Sequence, residues 1–384
     1  MRKNRMRFST GDPVPWFTAA TQTQQRFKFS TAAGRYVILS FFGSAKAPAA
    51  RRLIADVEAN SSAFRDDELC FFGVSVDRGD FRERRMRPLP SGVRYFQDLG
   101  GEISRAYGAL GPAADPAPNE IRLPAGSYRP FSLLLDQRLR VLAQLPLLGD
   151  GADHLPQLLE LARELPGLGE QRVADIPAPV LIVPRVFEPE LCRTLIDLYE
   201  SRGGEDSGFM VEEGGKTVGK YDYKTKRRSD CDIECEHLRK QCMNRIRTRL
   251  LPEIKRAFQF QATRMERYIV ASYDGDHGGH FRAHRDNTTP ATAHRRFAVS
   301  LNLNADEYEG GHVWFPEFGR QLYKPPTGGA AVFSCSLLHE ATPVTRGVRY
   351  VFLPFLYDEA AAKGRQPLPA EKEETRQPCA ASGC

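Results

Sequence analysis

The chain has 384 residues, 41% of them hydrophobic, with a formal net charge of +6. That length suits two cores better than one, and no stretch approaches the roughly 18 consecutive apolar residues a membrane helix needs. The N-terminus is basic but no apolar segment follows it, so no secretory signal is expected. A cytoplasmic protein without a membrane partner is the simplest reading. The basic clusters Arg82, Arg84, Arg85, Arg87 and Lys224, Lys226, Arg227, Arg228 read as solvated surface, and no nucleic-acid module accompanies them.

Residues 1–165 alternate between strand and helix patterns. YVILSFF (36–42) and CFFGVSVD (70–77) read as buried strands, with a helix over 48–59 between them. A short helix is expected over 104–111, a hairpin from 130–136 and 139–145, and an amphipathic helix over 155–167. Strands separated by helices predict an α/β layer domain. Residues 166–183 read as a proline-containing linker.

A second domain is expected over 184–358. It opens with helices over 187–201 and 234–258, and residues 203–230, rich in glycine and charge, read as a long loop or finger able to close over a substrate. From Met265 the texture changes to short strands, over 267–273, 280–284, 296–304, 312–316, 330–334 and 349–357, separated by Gly, Pro and Asn. Such a pattern predicts a sandwich or jelly roll. Residues 359–384 are polar and proline-rich and read as a disordered tail.

The eight cysteines are irregularly spaced, which argues against a disulfide framework. Cys231, Cys235, His237 and Cys242 lie close in sequence. Their C-x3-C-x-H-x4-C spacing is not that of a standard zinc finger, and they read as one helix carrying small thiols. GGKT at 214–217 lacks the first glycine of a phosphate loop, since position 210 is Met210.

His284 and Asp286 stand two apart in a predicted strand, so both side chains reach one face. His339 comes 53 residues after Asp286. Two imidazoles and a carboxylate make a facial triad with open coordination positions, which suits Fe(II) oxygenases. Arg349, ten residues further, offers a bidentate partner for a carboxylate. Tyr273 and Asn302 are candidates to face the same cavity. His277, His280, His294 and His312 read as non-ligands.

YDGDHGGHFRAHRD, GGHVWFPEFG and LLHEATPVTRGVRY resemble the prolyl 4-hydroxylase branch of the 2-oxoglutarate/Fe(II) dioxygenases, over roughly 181–358. The resemblance implies a double-stranded β-helix with supporting helices, Fe(II) on His284, Asp286 and His339, and 2-oxoglutarate as co-substrate with ascorbate as an accessory. It also implies Arg349 on the distal carboxylate of the co-substrate, Tyr273 near its keto-acid end, and decarboxylation to succinate coupled to hydroxylation. Phe281 and Asn302 stand where relatives often carry Tyr, and Arg349 where many carry Lys. A prolyl peptide, another protein side chain and a small metabolite all stay open as substrate, and so does a homodimer.

GDPVPWF, YVILSFFG, FFGVSVD, AYGALG and SYRPFSLLLD resemble a peroxiredoxin of the thioredoxin fold, over about 10–165. The family's nucleophilic cysteine falls at Ala50, so a thiolate attack on peroxide is not expected. Arg129 matches an arginine the family keeps beside that cysteine. Cys70, the domain's one thiol, reads as an inert core residue. The alternative to an enzyme is a redox-sensing or peptide-binding protein built on these two domains.

Overall fold

The computed structural model describes residues 8–89, 92–111, 127–169 and 176–365. The chain divides into two compact units, Met1–Gln171 and Arg172–Cys384.

The first unit is built on one sheet of seven strands: β1 (Thr18–Thr21), β2 (Phe27–Lys28), β3 (Tyr36–Gly43), β4 (Leu69–Ser75), β5 (Val93–Gln97), β6 (Phe131–Leu135) and β7 (Val141–Pro146). Their order is β2-β1-β5-β4-β3-β6-β7. β3, β4 and β5 pair in parallel, while β6 and β7 close one edge as an antiparallel hairpin. A sheet covered on both faces needs continuous apolar strands. In β3, Val37, Leu39 and Phe41 enter one core, while Ile38 and Phe42 enter the other. The second core is closed by the helix Pro48–Ala59 through Ala50, Leu53, Ile54 and Val57, the i, i+3, i+4, i+7 stripe of its sequence. The result is the α/β layer domain that the sequence pattern predicts, with a thioredoxin-like sheet order.

The second unit is mostly strand. β8 (Leu181–Val183) precedes the helix Pro189–Arg202, and β9 (Glu205–Asp206), β10 (Phe209–Glu213), β11 (Lys216–Lys220), β12 (Lys226–Arg227) and β13 (Ser229–Asp232) lie between it and a second helical region that starts at Glu236. β14 (Arg264–Glu266), β15 (Ile269–Asp274), β16 (His280–His284), β17 (Phe297–Asn302), β18 (Glu309–Gly310) and β19 (Val313–Trp314) follow it. The last strands are β20 (Leu322–Tyr323), β21 (Ala330–Ser334), β22 (His339–Ala341), β23 (Val344–Arg346), β24 (Val348–Phe352) and β25 (Phe355–Tyr357). The minor sheet runs β12-β16-β22-β19-β20, and the major sheet runs β14-β25-β17-β24-β15-β13-β9 with β21 paired to β17 and β8.

Side-chain alternation in the major sheet separates two environments. Val270, Val299, Leu301, Tyr350 and Phe352 pack against Leu191, Leu195, Ile246, Leu250 and Ile254 of the helices. Their strand neighbours Ala271, Tyr273 and Val351 pack instead with Phe281 and Ala341 of the minor sheet. The space between the sheets is therefore lined by alternate residues of β15, β24 and β17. The result is the β-rich, helix-backed fold that the sequence pattern predicts.

Several local expectations need correction. The helix expected over 234–258 is three segments: Glu236–Arg245, a π-helical turn over Ile246–Leu250, and Leu251–Phe258. Pro252, which has no N–H to donate back along a continuous helix, stands at the start of the last one. Residues 203–230 are not a structureless loop, because β10 and β11 form a hairpin there and β12 and β13 join the two sheets. Gly214 and Gly215 make its turn, both at positive φ (58° and 77°), which glycine adopts without a Cβ clash. The strand expected over 349–357 is interrupted at Leu353 and Pro354. The predicted linker holds β8, which pairs with β21, and residues 170–175 of it lie outside the described residues. The predicted tail begins with a short helix, Glu359–Lys363, and the rest of it, from 366, is outside the described residues.

Candidate metal and co-substrate site

β16 ends at His284 and β22 begins at His339, and the two residues are register partners. Asp286 is not in a strand, contrary to the expectation above. It lies in the turn after β16, where its N–H donates to the Cys335 carbonyl (3.0 Å). That bond returns its carboxylate to the two imidazoles. Oδ1 is 3.5 Å from His284 Nε2 and Oδ2 is 3.3 Å from His339 Nε2. One ligand atom from each of the three lies within 4.8 Å of the others, and this is the one such cluster among the described residues.

Both imidazoles are oriented by their backbone. His284 Nδ1 donates to the Arg282 carbonyl (2.7 Å) and His339 Nδ1 to that of Leu337 (3.1 Å). Each Nε2 lone pair is thereby left for a metal, the arrangement that outer hydrogen bonds usually impose on ligating histidines. Phe281 stacks on His284 and Phe333 packs against His339. Burial pushes His339 down to about 4, against the opposing charge of Asp286. Burial alone would raise the Asp286 carboxyl, but the flanking His339 and His284 outweigh it and hold the group well below the usual carboxylate range. A neutral His339 and an anionic Asp286 are the forms that could hold a metal ion.

Arg349 of β24 is the register partner of Tyr273 of β15, and its guanidinium lies 5.2 Å from the tyrosine ring centroid. It is 1% exposed, yet no carboxylate pairs with it among the described residues. Nη2 donates to Ser300 Oγ (2.7 Å) and Asn302 Oδ1 (3.2 Å), and Nε to the same amide oxygen (3.3 Å). The Tyr308 hydroxyl beside it is buried and has no hydrogen-bond partner of ordinary geometry. Gly311 clears this corner, because a Cβ there would lie 3.0 Å from Arg349 Cδ. An uncompensated buried guanidinium next to an unpaired hydroxyl suits an incoming carboxylate.

Asn302 faces the same space, but its amide is already engaged: its oxygen by Arg349 and its nitrogen by the Pro325 carbonyl (2.8 Å). It orients Arg349. Ser300, Tyr308 and Arg295 are absent from the sequence-based set. Ser300 was within reach of the same reasoning, since it shares a strand face with Asn302. Arg295 was not. Its Nε donates to Glu266 (2.7 Å), its Nη1 to the Asp286 carbonyl (3.4 Å), and its charge lies over Phe355.

Three of the four histidines read as non-ligands are engaged elsewhere, and His312 is not in the cluster. His277 meets Asp274, His280 faces two backbone carbonyls, and His294 meets Glu266. Cys231, Cys235 and Cys242 do not share one helix: Cys231 is in β13, Cys235 precedes the helix, and Cys242 is in the core. In the first unit Ala50 is buried in an apolar cluster, Arg129 is exposed, and Cys70 is buried with its thiol pushed up by burial.

A two-histidine, one-carboxylate cluster in a β-rich, helix-backed fold is a donor set suited to a non-haem iron site. Residues 268–357 match the 2OG-Fe(II) oxygenase superfamily, and residues 10–143 match the AhpC/TSA family. A PKHD-type hydroxylase of Delftia acidovorans (strain DSM 14801 / SPH-1) is 42% identical over 86 residues, 20% of this chain and 37% of the relative. The first two curated relatives are spanned over only 37% and 51% of their own length. Two solved structures are similar. One is a prolyl hydroxylase from Trichoplax adhaerens in complex with a hypoxia inducible factor peptide fragment (18% identity, TM-score 0.40, covering 49% of this chain and 88% of that one). The other is the peroxidoxin BcpB from Mycobacterium tuberculosis (17%, 0.32, 41% and 99%). No helix among the described residues is long and apolar enough to cross a membrane.

Proposed function

We propose that the second unit is an Fe(II)- and 2-oxoglutarate-dependent hydroxylase acting on a prolyl-containing peptide or another substrate. The observation that carries this reading is the pairing of the His284–Asp286–His339 cluster with a buried Arg349 that has no carboxylate of its own. Fe(II), when bound, supplies dioxygen activation coupled to decarboxylation of 2-oxoglutarate to succinate.

The chain's residues bind and orient. His284, Asp286 and His339 would hold the metal. Arg349 takes the distal carboxylate of the co-substrate, with Ser300 and Asn302 fixing its guanidinium and Tyr308 adding a hydroxyl donor. Tyr273 and Phe281 exclude water from the space between the sheets. The first unit does not act as a peroxidase, because Ala50 offers no nucleophile. A cytoplasmic, reducing setting suits the six free cysteines among the described residues.

Anaerobic Fe(II) with 2-oxoglutarate should give a weak visible charge-transfer band, and air with ascorbate should then yield succinate. Asp286→Ala should lose both signals. Absence of the band and of succinate in the unmodified protein would overturn the assignment, and retention of both by Asp286→Ala would overturn the ligand set.

A further inference from the structure

Lys226 is a second buried cation without an anion. It lies on β12 as the register partner of Phe281 and is 5% exposed. Its ammonium donates to Ser207 Oγ (2.8 Å) and the Gly208 carbonyl (2.6 Å), both neutral, and no carboxylate among the described residues pairs with it. Two residues on, the Arg228 side chain is 4% exposed and pairs with Asp230 (2.6 Å). Asp230 also takes Arg267 (3.0 Å), so one carboxylate serves two guanidinium groups and does not pair with Lys226. Arg228 Nε is buried and has no partner. Burial first, and Arg228 next, push the Lys226 ammonium well below its ordinary range, a penalty that a bound anion would offset.

These cations border the metal cluster. The Phe281 ring stacks on His284 at 3.5 Å and also carries Lys226 Nζ at 4.9 Å, so one ring separates ammonium from imidazole. Arg228 Nη1 reaches the Tyr273 hydroxyl (3.5 Å). Lys226 and Arg267 both feel the charge of Asp286. The co-substrate has two carboxylates, and the metal and Arg349 account for them. A third anionic group must come from another molecule.

We infer that Lys226 and Arg228 form a second oxyanion site, which takes a carboxylate carried by the substrate to be hydroxylated. This rests on the hydroxylase reading above. Two donors are unspent, the third ammonium N–H of Lys226 and the Nε–H of Arg228, and a carboxylate has two oxygens to accept them. The carboxylate arrives either on an acidic side chain of a peptide or as a small free acid.

The test uses the full chain with Fe(II) and 2-oxoglutarate. The anaerobic charge-transfer band is recorded first. Succinate release in air is then measured with acidic, neutral and basic peptide pools of equal length, and with a series of small mono- and dicarboxylic acids. Acidic peptides or free acids should raise the rate where neutral and basic peptides do not, and the responding arm identifies the source. Lys226→Met should raise the KM for the stimulating compound about tenfold or more while leaving the KM for 2-oxoglutarate unchanged. Lys226→Arg, which keeps the charge, should retain the preference. A normal band with no discrimination by charge overturns the inference and leaves the hydroxylase reading standing. A Lys226→Met change confined to the KM for 2-oxoglutarate, or to thermal stability, also overturns it. No band and no succinate in any assay would instead overturn the hydroxylase reading.

Discussion

His284 and His339 face each other across β16 and β22, and the irregularity in that ladder falls between Phe281 and His284. A bulge re-aims the side chain that follows it. Here it brings one imidazole within 4.3 Å of the other, centroid to centroid, and leaves Asp286 to close the set from the turn beyond.

Asp286 is the one anion of that set, so its loss should act on the metal before it acts on the fold. Asp286→Asn keeps the size of the side chain and its backbone bond to Cys335. Fe(II) affinity should fall by about 100-fold or more, measured by calorimetry under nitrogen. Circular dichroism should be unchanged. Unchanged Fe(II) affinity would remove Asp286 from the ligand set.

Arg349 should show opposite effects on binding and on stability. Its guanidinium is buried without a carboxylate, so Arg349→Met removes an uncompensated charge and should leave the apo thermal midpoint unchanged or raised. The same change should raise the KM for 2-oxoglutarate by about 30- to 150-fold, the equivalent of about 2–3 kcal/mol of charge-assisted hydrogen bonding. Arg349→Lys keeps the charge but loses the fork and should fall between them. An Arg349→Met protein with an ordinary KM for 2-oxoglutarate would contradict the assignment.

Glu188 gives the second unit an acid limit. Arg249, 2% exposed at its side chain, and Arg245 both pair with Glu188, whose side chain is 27% exposed. Burial alone would raise its carboxyl, but the Arg245 hydrogen bonds and the Arg249 charge hold it at about 2, below an ordinary value of 4.5. The stabilisation is therefore complete above about pH 5 and is lost as pH falls towards about 2, at a scale of about 2–3 kcal/mol. Glu188→Gln should be less stable than the parent at pH 7 by that order, and by pH 3 the difference should have fallen by about half, closing only as pH nears about 2. Denaturant unfolding at the two pH values measures it, and a gap that does not depend on pH would refute it.

What the sequence disclosed follows from how local each signal is. HFRAH gave β16 to the residue because alternation within one strand needs no partner. Pro48 and the stripe Ala50, Leu53, Ile54, Val57 gave the first helix for the same reason. The π turn over Ile246–Leu250 and the placing of Asp286 by the Cys335 carbonyl depend on contacts distant in sequence, which no local pattern carries. The β10–β11 hairpin was legible and went unread, since Gly214-Gly215 between alternating residues is a two-residue turn signal. The co-substrate corner was half legible: Arg349 stood out by its distance from His339, whereas Tyr308 enters only through the fold.

Arg295 should act through Asp286. Its Nε donates to Glu266, its Nη1 reaches the Asp286 carbonyl, and Phe355 holds its plane (3.9 Å from the ring centroid). Glu266 is fixed from its other oxygen by His294 (2.9 Å), so the chain His294–Glu266–Arg295 ends on the turn that carries the Asp286 carboxylate. Arg295 touches neither metal nor co-substrate and is a positioning residue. Arg295→Gln should weaken Fe(II) binding by about 10- to 100-fold while leaving the KM for 2-oxoglutarate within about twofold once the metal is saturating. Excess Fe(II) should restore turnover in Arg295→Gln but not in Asp286→Asn, and calorimetry beside initial rates separates the two. If excess metal failed to rescue Arg295→Gln, the residue would be supporting the core through Phe355 instead of the carboxylate.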